Sequence, residues 1–271
     1  MLRKELATEK GTIVYYASER VDQTLPWLVF LPGLTADHRL FEKQIQFFCD
    51  KANCLTWDPP AHGESRPFEL DFTMDDMAVW VHEILEAEGA DHPILVGQSM
   101  GGYVSQAFMD LFPGETGGFI SIDSAPLKRH YYPNWEVMAL KHTEGMYHAI
   151  PWRLLKPWGC MGTAQTSYGR ATMRAFMDRY SKREYCALAG FGFRLLAQAI
   201  EAERPYEIDC PALLLCGRKD HAGDVRAFNR AWTKKDGIEL RWIEGAGHNA
   251  NTDAPDEIND IIWRFAEYTS R

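Results

Sequence analysis

The sequence contains no apolar run long enough to cross a membrane as a helix. Its longest apolar stretches, such as Trp27–Leu34, are strand-sized and include a proline and a glycine, whereas a spanning helix needs about 20 apolar residues. The basic N-terminal segment is followed by no apolar region, so we expect no secretory signal. The six cysteines form no C-x-x-C pair. We therefore expect reduced, buried thiols, no metal site and a cytoplasmic protein.

Positive charge is also scarce. The 271 residues carry 29 Lys and Arg against 38 Asp and Glu, a net charge of −9, and contain no basic run. Binding to nucleic acid or to anionic lipid needs cations that neutralise phosphates, so we expect neither a nucleic-acid nor a membrane partner. A small-molecule substrate remains as the expected partner, and the sequence does not indicate an oligomeric state.

Short apolar segments alternate with helical patterns along most of the chain. Such alternation predicts βαβ units, and continuous apolar strands indicate burial on both faces of a sheet. We therefore predict an α/β fold with an eight-stranded, mostly parallel sheet and helices on both faces. The predicted strands are Leu2–Ala7, Thr12–Ala17, Trp27–Leu31, Cys54–Trp57, Pro93–Val96, Phe119–Ile122, Ala212–Cys216 and Glu239–Ile243.

One long segment interrupts this alternation. Residues 127–205 contain no convincing strand and are rich in Trp, Tyr, His and Arg. They carry 12 basic and 6 acidic residues, whereas the rest of the chain carries 17 and 32. We predict a helical insertion over 127–205, after the sixth strand, in a core formed by residues 1–126 and 206–271.

A candidate nucleophile lies in the sequence Gly97-Gln-Ser-Met-Gly101, which matches G-x-S-x-G. The match directly follows an apolar strand and directly precedes a helix, which is the context that this motif requires. A sharp turn there exposes the hydroxyl of Ser99. The alternative is a glycine-rich turn whose serine only caps the helix.

A serine hydroxyl needs a base to remove its proton. His248 follows the last predicted strand, at the end of the sheet where ligands bind in open α/β folds. His62 is the rival, and we interpret it as structural. An orienting carboxylate is expected from Asp220, because the order Ser99, Asp220, His248 is the one that accompanies G-x-S-x-G. Asp123, after the preceding strand, is an alternative to Asp220.

Backbone amides must stabilise a developing oxyanion. One is expected from Met100, directly after the candidate nucleophile, and the other from Leu34, in the loop after the third strand. Gly33 gives that loop backbone freedom. A plain turn at Pro32-Gly33 is the alternative.

Together these motifs resemble the α/β-hydrolase superfamily, specifically its cap-bearing serine hydrolases, over nearly the whole chain. The resemblance rests on Gly97–Gly102, Gly217–Asp220 and Gly245–His248, and also on the turn Asp58–Ser65. That turn has Ala61 where the family usually has glycine. Leu31-Pro32-Gly33 departs from the His-Gly pair of many relatives.

The resemblance implies a cap over Ser99, formed by residues 127–205, and a reaction that requires no metal or organic cofactor. We expect an apolar pocket. The positive charge of the cap also suggests an anionic substrate. A basic cap that merely covers an acidic core is the alternative. The predicted substrate-binding residues are Tyr131, Trp135, Trp152, Trp158, Arg129 and Arg174, with Tyr132, Tyr147, Phe176 and Arg194 as further candidates.

Ser99 also separates branches of this superfamily, since its haloalkane dehalogenases and epoxide hydrolases carry Asp at the nucleophile position. Esterases, lactonases, carbon–carbon bond hydrolases, cofactor-free perhydrolases and the menaquinone-pathway synthase remain. We predict hydrolysis of a small carboxylic ester, thioester or lactone through an acyl-enzyme. The alternatives are a carbon–carbon bond hydrolase or related lyase with the same triad, and a non-catalytic ligand receptor.

Overall fold

Eight strands form one sheet in the computed structural model of the chain, which describes residues 1–269. The sheet order is β1-β2-β4-β3-β5-β6-β7-β8. The strands are β1 Leu2–Thr8, β2 Gly11–Ala17, β3 Trp27–Leu31, β4 Asn53–Trp57, β5 Ile94–Gln98, β6 Gly118–Ile122, β7 Ala212–Gly217 and β8 Glu239–Ile243. β1 and β2 form an antiparallel hairpin and β2 pairs antiparallel with β4, whereas the remaining pairs are parallel. The predicted sheet is therefore confirmed.

Helices cover the sheet on both faces. They are α1 Glu42–Phe48, α2 Met74–Glu88, α3 Met100–Leu111, α4 Asn134–Leu140, α5 Thr143–Ala149, α6 Trp152–Thr163, α7 Ser167–Met177, α8 Lys182–Glu201, α9 Val225–Asp236, α10 Ala250–Asp253 and α11 Pro255–Thr269, with short 3₁₀ turns at His38–Phe41 and Arg129–Tyr131. α2 illustrates why these boundaries form. Thr73 and Asp76 make a reciprocal capping box at its start, and Gly89 ends it in the left-handed conformation.

Burial differs between the centre and the edges of the sheet. β3, β4, β5 and β6 are buried at every residue, as continuous apolar strands require. β1 and β8 lie at the two edges and alternate between exposed and partly buried residues. The expected burial on both faces is therefore not found in β1 and β8. Each is an edge strand, with a neighbouring strand on one side only.

The parallel register brings the carboxyl ends of the central strands to one edge. Leu31 lies opposite Gly97, Gln98 opposite Ile122, and Gly217 opposite Ile243. The loops that follow β3, β5, β6, β7 and β8 therefore begin side by side. This is the end of an open α/β sheet at which ligands bind.

The cysteines correct one expectation. All six are free, but Cys49 is exposed and Cys210 is partly exposed. Cys49 follows the last residue of α1, where the apolar face of the helix no longer meets the sheet. Burial raises the pKa of the Cys54 thiol to about 12, so that thiol stays protonated at neutral pH.

Between β6 and β7 the chain is helical, as predicted for the insertion. α8 packs against α4 and α5, and α6 packs against α7. Arg204, shortly after α8, binds Asp75 of α2 and Asp110 of α3, and so ties the end of this segment to the core. Among residues 1–269, no helix has both the length and the apolar character needed to span a bilayer.

His62 makes the stability of this fold sensitive to acid. The side chain is buried, its Nδ1–H donates to the carbonyl of Pro60, and Nε2 has no hydrogen-bond partner among residues 1–269. Burial lowers its pKa from 6.5 to about 4. Between these values the unfolded chain binds a proton that the folded chain does not, so stability falls as the pH falls.

We predict that the free energy of unfolding drops by roughly 3 kcal/mol on acidification from pH 6.5 to 4 through this histidine. Denaturant titrations across this range measure the drop. His62→Gln removes the titrating group and flattens that part of the profile. An equal slope in wild type and variant would contradict the assignment.

Candidate active site

The turn between β5 and α3 holds Ser99 in a left-handed backbone conformation, with φ 49° and ψ −114°. A Cβ on Gly97 would lie 2.5 Å from the main chain of Gly101, and a Cβ on Gly101 would overlap the carbonyl of Leu31. Only glycine fits at these two close approaches. Two hydrogen bonds hold the turn: Ser99 N–H donates to the carbonyl of Ile122 at 2.9 Å, and Ser124 Oγ donates to the carbonyl of Ser99 at 2.7 Å.

Three predicted residues meet in one chain of hydrogen bonds. His248 Nε2 lies 2.9 Å from Ser99 Oγ, and His248 Nδ1 lies 2.9 Å from Asp220 Oδ2. Asp220 is buried, and its Oδ1 accepts the N–H of Ala222 at 2.8 Å. A buried carboxylate on Nδ1 favours the tautomer whose proton is on that nitrogen, which leaves Nε2 free to accept the Ser99 proton.

The alternative residue lies elsewhere. Asp123 is fully buried, but its two oxygens accept the N–H groups of Gly217 and Ala250 rather than a proton of His248. Burial, together with the charge of Asp220, raises the pKa of Asp123 well above its ordinary value.

The loop after β3 lies against the nucleophile turn. A Cβ on Gly33 would lie 3.1 Å from Ser99 Cβ and would collide with the side chain of Gln98. Among residues 1–269, the amides of Leu34 and Met100 donate to no protein group, and Met100 begins α3, where the helix dipole favours negative charge. Gln98, which the sequence reasoning missed, donates from Nε2 to the carbonyl of His248 at 2.8 Å.

A chamber of about 170 Å³ opens beside Ser99 and His248. Its other lining residues are Leu34, Thr35, Ala36, Gln98, Tyr147, Thr163, Met173, Tyr185, Ala189, Phe193, Ala222 and Asn249. Of the aromatic candidates, Tyr147 is among them. Tyr185, Ala189 and Phe193 were missed, although their spacing of four residues places them on one face of α8.

The six predicted substrate-binding residues do not line this chamber, which corrects the expectation. Tyr131 is buried against the core and donates to Asp236 at 3.0 Å. Trp135 and Trp158 point outward, with 67% and 54% of their surface exposed. Trp152 packs against Tyr185, outside the chamber lining.

The arginines are occupied by other partners. Arg129 donates to the carbonyl of Tyr132 and to the side chain of Asn134, and Arg174 pairs with Asp178 at 3.3 Å. Arg194 forms an ion pair with Glu144. These three arginines therefore bind partners within residues 127–205. Tyr132 and Phe176 are buried and also lie outside the chamber lining.

A larger cavity, of about 850 Å³, lies between the loop after β4 and the start of α8. It is lined by Arg66, Phe68 and Leu188 among others, and it uses a different face of α8 from the chamber. Ser99, Asp220 and His248 are not among its lining residues, so the smaller chamber is the candidate active site.

Comparisons with known proteins identify the family and the fold of the chain. The model of a family described as the alpha/beta hydrolase family matches residues 28–261. The (E)-2-((N-methylformamido)methylene)succinate hydrolase of Acinetobacter baylyi is 20% identical over 99% of this chain and 100% of its own. An esterase from Thermogutta terrifontis has a TM-score of 0.73 and 19% identity, covering 100% of both chains. An N-acyl homoserine lactonase has a TM-score of 0.76 and 19% identity, covering 100% of this chain and 98% of its own.

The close approach at Gly101 predicts a sharp difference between two glycine substitutions. Gly101→Ala should cost about 3 kcal/mol or more, because its Cβ meets backbone that cannot rotate away. Gly145→Ala, in α5, should stabilise the protein by up to about 1 kcal/mol, because outside its own helix turn the added Cβ would have no atom of residues 1–269 within 4 Å. Thermal or denaturant unfolding measures both. Equal effects at the two positions would contradict the tight turn.

Proposed function

The chain belongs to the alpha/beta hydrolase family, and on that basis we propose that it is a serine hydrolase of small carboxylic esters, thioesters or lactones. The observation that carries the proposal is the unbroken hydrogen-bond chain from Ser99 through His248 to Asp220. A serine paired with a histidine that is itself oriented by a buried carboxylate is the arrangement of an activated nucleophile.

In the first step, Ser99 Oγ attacks the substrate carbonyl carbon while its proton moves to His248 Nε2. The carbonyl π electrons move to oxygen, and the amides of Leu34 and Met100 stabilise that oxyanion. Asp220 stabilises the imidazolium on its Nδ1 side. Loss of one such amide typically costs about 10²–10³ in rate.

The tetrahedral intermediate then collapses to an acyl-enzyme, and the alcohol or thiol leaves with the proton from His248. His248 then takes a proton from water, whose oxygen attacks the acyl carbon. The bond between that carbon and Ser99 Oγ breaks, and the proton returns to Ser99. This sequence closes the cycle with no net change in the protein.

Residues 127–205 form the cap in this proposal. They contribute Tyr147, Met173, Tyr185, Ala189 and Phe193 to the chamber beside Ser99. Lys, Arg, Asp and Glu are absent from the chamber lining found within residues 1–269. A chamber of about 170 Å³ with this lining favours a small, neutral acyl group, and its composition does not support an anionic substrate.

The fold neighbours named as an esterase and a lactonase agree with this substrate class. Their likeness to this chain concerns the fold, so the choice of ester chemistry rests on the triad geometry and on the chamber. A carbon–carbon bond hydrolase would use the same three residues and would turn over simple esters poorly.

We predict that Ser99→Ala and His248→Ala each reduce kcat/KM for p-nitrophenyl acetate by at least about 10³-fold, because each removes a member of one catalytic unit. Ser121→Ala is the matched control, since Ser121 is a buried serine whose hydroxyl has no hydrogen-bond partner in the part of the chain that the structure describes. It should keep activity within about twofold. Equal activity of wild type and Ser99→Ala would contradict the proposal.

The size of the chamber predicts selectivity for short acyl chains. Phe193→Ala should raise the ratio of kcat/KM for the hexanoyl over the acetyl ester by about tenfold or more, because it enlarges the lining. Phe191→Ala is the control, since Phe191 packs on Phe72 with ring centroids 4.8 Å apart and does not line the chamber. An unchanged ratio in Phe193→Ala would show that the acyl group binds elsewhere.

A further inference from the structure

The end of β6 contacts all three loops that carry the proposed triad. The carbonyl of Ile122 accepts from Ser99 N–H, and Ser124 Oγ donates to the carbonyl of Ser99. Between them, Asp123 reaches the other two loops. This segment is therefore the place where the nucleophile, acid and histidine loops are joined.

Asp123 makes its two contacts with its two different side-chain oxygens. Oδ1 accepts the N–H of Gly217 at 2.7 Å, and Oδ2 accepts the N–H of Ala250 at 3.0 Å. Gly217 stands three residues before Asp220, and Ala250 stands two residues after His248. The backbone of Asp123 has a φ of 48°, an uncommon conformation for a residue other than glycine.

Resting on the proposed function, we propose that Asp123 is a positioning residue that ties the Asp220 loop to the His248 loop. Its carboxylate thereby sets the 2.9 Å contact between Asp220 and His248. It acts through these residues and does not touch the reacting atoms.

The chemistry of the side chain explains why a carboxylate is needed. Both partners are N–H donors, so both side-chain oxygens must accept. An asparagine would present one oxygen and one NH₂, and the NH₂ would face an N–H group. Burial and the nearby charge of Asp220 raise the pKa of Asp123 well above its ordinary value, and the two N–H groups only partly oppose this rise.

The test compares Asp123→Asn with wild type on p-nitrophenyl acetate. We expect kcat to fall about 10- to 100-fold with KM little changed, because a misaligned triad slows chemistry more than binding. Asp58→Asn is the control, since Asp58 is also fully buried and accepts two backbone N–H groups, from His38 and Glu64; its Oδ1 additionally lies 2.6 Å from His38 Nδ1. Its kcat should stay within about threefold of wild type. Equal losses of kcat in the two variants would overturn the proposal.

A double-mutant cycle with Asp220→Asn distinguishes positioning from general destabilisation. If Asp123 acts through Asp220, adding Asp123→Asn to Asp220→Asn should cost less than about threefold further, because the contact it sets is already lost. Fully additive losses would overturn the proposal.

Proton NMR of the unreacted protein provides a readout that does not depend on turnover. The His248 Nδ1 proton, held by Asp220, should give a downfield resonance in wild type that Asp123→Asn broadens or shifts upfield. Asp123→Ser, which keeps one acceptor, serves if the asparagine variant does not fold. An unshifted resonance in a folded variant would overturn the proposal. Wild-type protein that shows the resonance but hydrolyses no ester would instead refute the proposed function.

Discussion

The left-handed turn at Ser99 is the constraint on which the other parts of the site depend. A non-glycine residue in that conformation costs about 1–2 kcal/mol, so the surrounding structure must hold it there. Hydrogen bonds to Ile122 and Ser124 do so from β6, and the approach of Gly101 to the carbonyl of Leu31 fixes it from β3. β3, β5 and β6 are adjacent in the sheet, so three neighbouring strands hold the turn in place.

The same sheet edge also brings together the loops that carry Asp220 and His248. β7 ends beside β6 and β8 ends beside β7, so the carboxylate of Asp220 and the imidazole of His248 come from separate loops that strand pairing brings together. Asp123 bridges these loops with one buried side chain. The helices between β6 and β7 then supply chamber walls such as Tyr185 and Phe193, so these walls and the hydrogen-bonded residues Ser99, His248 and Asp220 come from different parts of the chain.

Sequence patterns predicted the sheet and the meeting of Ser99, Asp220 and His248 because both follow from local signals: apolar strands, a glycine turn and loop positions at strand ends. The chamber walls could not be predicted in this way. Helical periodicity shows that one face of a helix is apolar. It does not show whether that face packs against neighbouring helices, covers Ser99 or faces solvent. Trp135 and Trp158, which were predicted to bind substrate, are in fact exposed. The role of Asp123 depends on backbone N–H groups brought together by tertiary structure, which no sequence motif records.

The central claim is that Ser99 is an activated nucleophile, and covalent labelling tests it most directly. The protein is treated with a fluorophosphonate, and the adduct is located by intact-mass and peptide mass spectrometry. An activated Ser99 should give one adduct per chain, on Ser99, that is absent in Ser99→Ala and forms far more slowly in His248→Ala. Folded protein that gains no adduct, or gains it on another residue, would show that Ser99 is not an activated nucleophile.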